Sequence, residues 1–328
     1  MKRREFIGLI GIAAAWPVVA RGQQSGRIPV IGFLWHAANQ AEEAPFFDWT
    51  REGFTQLGYI PGKNIIFEDR YAAEMPERFD SQAAELVRLN VDAIVCSGPA
   101  PSYAAMKATS KVPIVIMVAD PVGLGFAASL ARPGGNITGS SNLALDLDEK
   151  RLQIFKEALP NLSRLALISN PNQRYFLEKN LHDYTIAGRE LGIEIELFEI
   201  RNKDELEVAF KNISKSGCDG LLIGRAGLFD SALKQDVAER ALALRLPTVG
   251  DSAVFPEAGC LMSYSSVWRE AYLLLARCVK RILEGEKPAD IPVQQPTKFE
   301  LVLNMRTAKA LGLPISPQFL ARVDRVID

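Results

Sequence analysis

Residues 91–118 read VDAIVCSGPAPSYAAMKATSKVPIVIMV, and the order of residue types in that stretch decides the fold class. Val91–Cys96 and Val112–Val118 are short apolar runs rich in β-branched residues, without polar alternation. A strand with one wet face alternates. A continuous apolar strand is buried on both faces, the condition of a parallel sheet covered by helices. Ser102–Thr109 between them predicts a helix, so the stretch is a strand–helix–strand unit.

The same rhythm extends in both directions. Upstream, Ile28–Leu34 predicts the first strand, Ala44–Leu57 a helix ending at Gly58, and Asn64–Tyr71 the second strand. Pro76–Leu89 predicts a helix with proline in its first turn. Downstream come a short helix over Gly125–Leu130, a turn at Pro133-Gly134-Gly135 and a short strand from Ile137. The pattern then restarts. Helices around 149–158, 178–191, 204–214 and 232–244 alternate with strands at Arg164–Ser169, Glu194–Ile200, Gly220–Ile223 and Pro247–Val249. The tail predicts a helix over Trp268–Leu283, an extended segment over Lys298–Asn304 and a closing helix over Gln318–Val326. Two such runs in 328 residues give an α/β protein of two doubly wound parallel-sheet lobes.

The composition is that of an ordinary globular chain, 48% hydrophobic and 23% charged. Its first residues stand apart. Lys2, Arg3 and Arg4 precede an apolar run from Phe6 to Ala15, then Pro17 and the small residues around Ala20-Arg21-Gly22. That is the layout of a cleaved secretory signal over residues 1–22, too short to make a good spanning helix. Arg3-Arg4-Glu5-Phe6-Ile7 also resembles a twin-arginine motif, although Lys2 and Gly8 depart from it, so both export routes stay open. Cleavage after Gly22 leaves 306 residues. It removes four basic residues and one acidic, taking the net charge from −1 to −4. Such a chain lacks the basic surface that nucleic-acid binding requires. The expected location is the periplasm, free of the membrane.

In doubly wound lobes ligands bind outside the carboxyl ends of the strands. The candidate binding residues are therefore Trp35, His36, Tyr71, Ser97, Gly98 and Asp120 in the first lobe, with Asn170, Asn172, Arg225 and Asp251 in the second. Gly98 opens a helix whose N–H groups favour an anion. Asp120 and Asp251 can accept from an ammonium or hydroxyl. Arg225 can take a carboxylate through two N–H groups or pair with Asp230. Trp35 and Tyr71 can stack on an apolar ligand face or belong to the core. Asp120 and Asn170, each before a proline, can equally be turn formers.

Catalytic signatures are weak. Ser97 has no G-x-S-x-G around it, and the candidate bases are His36 and His182. Gly123-Leu124-Gly125-Phe126-Ala127-Ala128 follows the fourth strand, not the first, and reads as a tight turn more than a dinucleotide site. Cys96, Cys218, Cys260 and Cys278 show no C-x-x-C spacing, so no cofactor or metal is expected.

Three stretches carry a resemblance to the periplasmic substrate-binding proteins of ABC transporters, in the group that includes tryptophan- and tyrosine-binding members. They are Asp120-Pro121-Val122 running into 129–139 (SLARPGGNITG), Gly259–Tyr264 (GCLMSY), and Gln295–Asn304 (QPTKFELVLN) continued by 307–313 (TAKALGL). The resemblance implies a type I periplasmic-binding fold with a hinge and central cleft. Lobe I would hold residues 28–141 plus about 266–296, and lobe II 142–265 plus about 297–328. Crossings would fall near 140–147, 260–266 and 292–300. It implies Ser97, Gly98, Asp120, Asn170 and Asp251 in the cleft and places Tyr264 beside a crossing, as a further candidate for lining the cleft. Trp35-His36 and Arg225-Ala226-Gly227 depart from the family's pattern at cleft positions, so the ligand of better-known members does not carry over. The expected function is capture of a small organic solute, amino acid or carboxylate-like, by a monomer. Its partners would be the transmembrane subunits and ATPase of an ABC permease. A ligand-binding protein feeding a membrane sensor and an exported hydrolase or isomerase are the competing readings.

Overall fold

Five parallel strands form the first sheet, in the order β2-β1-β3-β4-β5. They are β1 (Val30–Trp35), β2 (Ile66–Tyr71), β3 (Ala93–Ser97), β4 (Ile114–Val118) and β5 (Ile137–Ser141). Their covering helices are α1 (Gln40–Glu43), α2 (Phe46–Gln56), α3 (Pro76–Arg88) and α4 (Pro99–Ala108). Every residue of β3 and β4 is buried, as their unbroken apolar sequence requires. In α3 Phe79, Ala83 and Leu86 recur at helical spacing and are buried against the sheet. These facts come from a computed structural model that describes residues 27–143 and 147–328. The export signal read over residues 1–22 lies outside the described residues.

The second lobe begins with α5 (Asp148–Ala158), β6 (Arg164–Ser169), α6 (Arg174–Leu191), β7 (Glu194–Glu199) and α7 (Lys203–Ser216). It continues through β8 (Gly220–Ile223), α8 (Gly227–Asp230), α9 (Lys234–Ala243), β9 (Thr248–Gly250), α10 (Val254–Glu257) and β10 (Met262–Ser266). After α11 (Trp268–Leu283) come β11 (Phe299–Asn304), α12 (Met305–Leu311), α13 (Pro317–Leu320) and β12 (Arg325–Ile327). The seven strands are ordered β12-β11-β10-β9-β8-β6-β7, parallel except where β10 meets β11. The architecture is α/β, two parallel-dominated sheets clothed by helices.

Among the described residues the chain passes between the sheets at three places. The first follows β5, the second is at Val267 between β10 and α11, and the third lies between Gln294 and β11. Gln294 is still tied to the first sheet, since its N–H donates to the Gly139 carbonyl and its carbonyl accepts from Ser141 N–H, both at 2.8 Å. α11 packs on α2 and on β4 and β5, although its sequence neighbours β10 and β11 lie in the other sheet. The Phe46 ring stacks on Tyr272 at 5.2 Å across that helix pair.

Three elements differ from the sequence expectation. The helix read over 44–57 is α2, but it is preceded by a short helix, α1, that the sequence reading did not include, and Pro45, which lacks an N–H, separates the two. No helix forms over 125–130. The N–H groups of Phe126 and Ala127 both donate to the Pro121 carbonyl, and Gly125 has φ +76°, so the segment is a set of turns. The closing helix is confined to α13. Residues 325–327 instead extend the second sheet as β12, pairing Val302 with Arg325 and Asn304 with Ile327. Asp324 locks that register, its carboxylate accepting from Leu301 N–H at 2.8 Å.

Candidate functional site

The carboxyl ends of β1, β3 and β4 face the start of α6 and the segment 225–231 across a cleft. Phe46, Met117, Phe176 and Trp268 supply apolar wall, and His36, Glu43, Ser97, Arg225 and Asp230 supply polar groups. Its free volume is about 50 Å³, room for only a few water-sized groups with the lobes as they stand. Organic ligands generally occupy several hundred Å³, so access requires the lobes to part.

His36 continues β1 into the cleft. Its ring stands against both lobes: a Cβ on Gly98 would lie 2.3 Å from its Nε2, and one on Gly227 2.9 Å from its Nδ1. Gly98 also has φ +84°, so glycine is required there on two counts. Burial opposes a charge on His36, but Glu74, with Oε1 3.1 Å from Nδ1, then Glu43 and the Ser97 backbone, outweigh it. Its pKa rises to about 9, so it is a buried cation at neutral pH. Glu43 Oε2 accepts from the Ala37 N–H at 2.9 Å, and burial raises its pKa against the pull of His36. Ser97 Oγ lies 2.6 Å from Tyr272 Oη, so each hydroxyl satisfies the other.

Gly98 does not open the anion site expected of it. Its N–H donates to the Met117 carbonyl at 2.8 Å, and α4 begins Pro99-Ala100-Pro101, where two of the first three residues have no N–H to offer.

The second-lobe wall is backed by buried charge. The Asp148 carboxylate accepts from Arg151 Nη1 and from Asn180 Nδ2. Arg151 Nη1 also reaches Tyr184 Oη at 2.7 Å, and its Nε donates to the Tyr264 carbonyl at 3.0 Å. Arg225 closes the layer, with Nη2 3.4 Å from Asp148 Oδ1 and Nε 3.0 Å from Asp251 Oδ2. Its guanidinium carbon lies 5.7 Å from the Phe176 ring centroid. Arg225 is 6% exposed, and its Nε and Nη1, like both oxygens of Asp251, have no hydrogen-bond partner among the described residues. Asp230, beside it, carries a carboxyl pushed well above the usual range, first by burial and then by Asp251.

Of the residues read from sequence, His36, Ser97, Gly98 and Arg225 line the cleft. The others are elsewhere. Trp35 is core: its Nε1 donates to Asp69 at 2.7 Å and its ring stacks on Phe33 at 5.4 Å. Tyr71 packs at the edge of the same core, its pKa raised to about 12 by burial and by Asp69. Asp251 stands behind Arg225, which pairs with it and with Asp148, not Asp230. Asn170 starts the 3-10 turn Pro171–Gln173 by accepting from Asn172 N–H at 2.9 Å, and Asn172 is exposed. Tyr264 lies in β10 and packs against the second-lobe core. Asp120 bridges the lobes. Its Oδ1 accepts from Gly123 N–H at 2.8 Å and its Oδ2 from Tyr175 Oη, in α6, at 2.6 Å. Burial and Asp120 raise Tyr175 to about 12. A second bridge is Lys234, whose Nζ donates to the Ala44 carbonyl in the first lobe and the Ser231 carbonyl in the second, both at 3.0 Å.

Glu43, Phe46, Phe176, Asp230 and Trp268 line the cleft without having been singled out as binding residues. All five lie in helices, where periodicity tells which side is buried but not which cavity that side meets.

A sequence profile described as ABC transporter substrate binding protein matches residues 27–327. The chain belongs to that family. Within it, a tyrosine-binding protein of Clostridioides difficile (strain R20291) is 26% identical over 282 residues, 84% of this chain and 80% of the relative. Two solved structures each superpose with a TM-score of 0.82, covering 92% of this chain and all of theirs. One is a conserved domain protein from Vibrio cholerae, 25% identical, and the other an ABC domain from Streptococcus pneumonia in complex with L-Trp, 19% identical. The two-lobed fold is thus that of periplasmic binding proteins.

For a substrate-binding protein the fittings described above are coherent. Among the described residues no group of His, Cys, Asp or Glu is arranged to hold a metal ion, and the four cysteines are unbridged. No described helix is long and apolar enough to cross a membrane. What the cleft has is an apolar enclosure and a layer of buried ion pairs behind one wall, in which Arg225 Nε and Nη1 have no hydrogen-bond partner among the described residues.

Proposed function

We propose that the chain is an extracytoplasmic solute-binding protein. It captures a small organic solute, amino acid or carboxylate-like, between its lobes and delivers it to the membrane subunits and ATPase of an ABC permease. The observation that carries this is the enclosed cleft between lobes joined by three chain passages, with its polar groups positioned before any ligand arrives. Lobe I comprises residues 28–141 plus about 266–296, and lobe II 142–265 plus about 297–328. Residues 1–22 direct export and are removed. His36, Ser97, Gly98 and Arg225 face the solute. That relatives bind tyrosine or L-Trp supports a solute with a carboxylate and an apolar body.

The test is a thermal-shift screen of residues 23–328 against amino acids, carboxylates, aromatics and sugars. A ligand at 100 times its dissociation constant stabilises by about 2.7 kcal/mol, a shift of at least a few degrees. No shift with any solute overturns the reading. Periplasmic recovery of a processed full-length chain is the result expected for export, and retention in the cytoplasm overturns that part.

A further inference from the structure

We propose that Trp268 is a solute-binding residue whose indole N–H donates to an oxygen of the captured molecule, so that the cleft selects a solute with an acceptor at its hinge end. The inference rests on the reading of the cleft as a solute site and adds a contact that comes from no strand end.

Trp268 is the first residue of α11, directly after the crossing at Val267, and it lines the cleft. It is 5% exposed. Its ring is tilted against Phe46 with 5.9 Å between centroids, a packing that a phenylalanine could also make. What the indole adds is an N–H, and that Nε1 has no hydrogen-bond partner among the described residues. A buried donor without an acceptor is costly, and buried tryptophans ordinarily find one. Trp35 shows the ordinary case in the same core cluster, its Nε1 donating to Asp69 at 2.7 Å. Of these two indoles, the one left unpaired is the one that meets the cleft.

The surroundings of Trp268 point to an oxygen acceptor. Tyr272, one turn further along α11, is spent on Ser97 at 2.6 Å, which leaves the indole as the free donor of that helix end. From the second lobe Arg225 brings another buried donor without a hydrogen-bond partner among the described residues, Nη1. Both donors are held in place, the guanidinium by its ion pairs with Asp148 and Asp251 and the indole by Phe46. Two fixed donors from separate elements suit a solute that carries acceptor oxygens, as a carboxylate does. The requirement holds whatever charge His36 or Asp230 carries, because it rests on where donors stand unpaired.

The experiment uses the chain over residues 23–328 with L-tyrosine, L-tryptophan, 3-phenylpropanoate and 4-methylpentanoate as probes. Its tryptophans are Trp35, Trp49 and Trp268, so nitrogen-15 labelling gives one indole N–H signal for each, and that of Trp268 is the signal missing in Trp268→Phe. On saturation with a probe that binds, the Trp268 signal should move downfield, further than those of Trp35 and Trp49. By calorimetry Trp268→Phe should bind the same probe about fivefold more weakly. An indole signal that stays in place while the probe binds overturns the proposal and leaves the solute-binding reading intact. So does an affinity of the variant within about twofold of the native chain. If no probe binds, the proposal also falls, and the broader solute screen decides the solute-binding reading separately. Phenylalanine leaves part of the indole's volume unfilled, so the native-chain spectrum separates the donated bond from lost packing.

Discussion

The two walls of the cleft are made by different physics. The first-lobe wall is built of strand ends: Ser97 satisfied by Tyr272, Gly98 by Met117, and a helix that begins with prolines. Apart from His36 and Glu43 at its edge, it presents shape and apolar surface. The second-lobe wall fronts a layer of ion pairs among Asp148, Arg151, Arg225 and Asp251, with Asn180 and Tyr184 hydrogen-bonded into it, while Arg225 Nε and Nη1 and both Asp251 oxygens have no hydrogen-bond partner among the described residues. Desolvating those ions was a cost of folding, so a ligand meets them already dry and fixed. One lobe therefore offers a surface to close against, and the other offers charge that is positioned in advance.

That asymmetry can be broken by substitution, and the largest effect lies at its centre. Asp148→Ala leaves Arg151 and Arg225 facing each other without their shared counter-ion and should cost about 3–5 kcal/mol in urea unfolding. Ser97→Ala on the opposite wall should cost about 1 kcal/mol. Equal costs would refute the contrast between the walls.

The second test is pH. His36 holds its proton to about 9, above its ordinary value near 6.5. The stability it contributes is therefore full below about 6.5 and lost as pH rises through about 9, on the order of 3 kcal/mol. Urea midpoints of the native chain should fall over that window more than those of His36→Gln. Parallel curves would show that the charge on His36 does not support the lobe contact.

Smaller effects separate core from cleft. Trp35→Phe should cost about 1–2 kcal/mol through the lost bond to Asp69, with ligand affinity changed less than twofold by calorimetry. Tyr175→Phe should do the reverse. Removing the bond to Asp120 loosens closure and lowers affinity several-fold, about 1 kcal/mol, with the unfolding midpoint nearly unchanged. A change in stability without one in affinity would make the Asp120–Tyr175 bridge a packing contact only.

The fold was legible where burial is expressed continuously along the chain. β3 and β4 are buried at every position and their sequence is apolar at every position, so local reading sufficed. β12 was illegible because residues 325–327 become a strand only where β11 offers open hydrogen-bond groups, a partner far away in sequence. The cleft was half legible for a similar reason. Looking just after the strands led to His36, Ser97, Gly98 and Arg225, because strand ends in this architecture point at the cleft. It also led to Asn170 and Asp120, whose carboxamide and carboxylate are drawn into turns, and to Asp251, whose partner across the sheet no spacing rule names. Glu43 escaped notice, and Asp230 was read only as a partner for Arg225, because an acid on a short helix looks solvated until the opposing lobe is in place.

The position of α11 has a consequence for biosynthesis. α2 and β5 of the first lobe leave the ribosome early, but the helix that covers them follows only after the second lobe's first five strands have been made. Until Leu283 has emerged, Phe46 and Phe54 lack the Tyr272–Val279 surface that shields them in the finished molecule. The first lobe thus cannot complete itself vectorially. The nascent chain must be held soluble with one core open until nearly all of it exists.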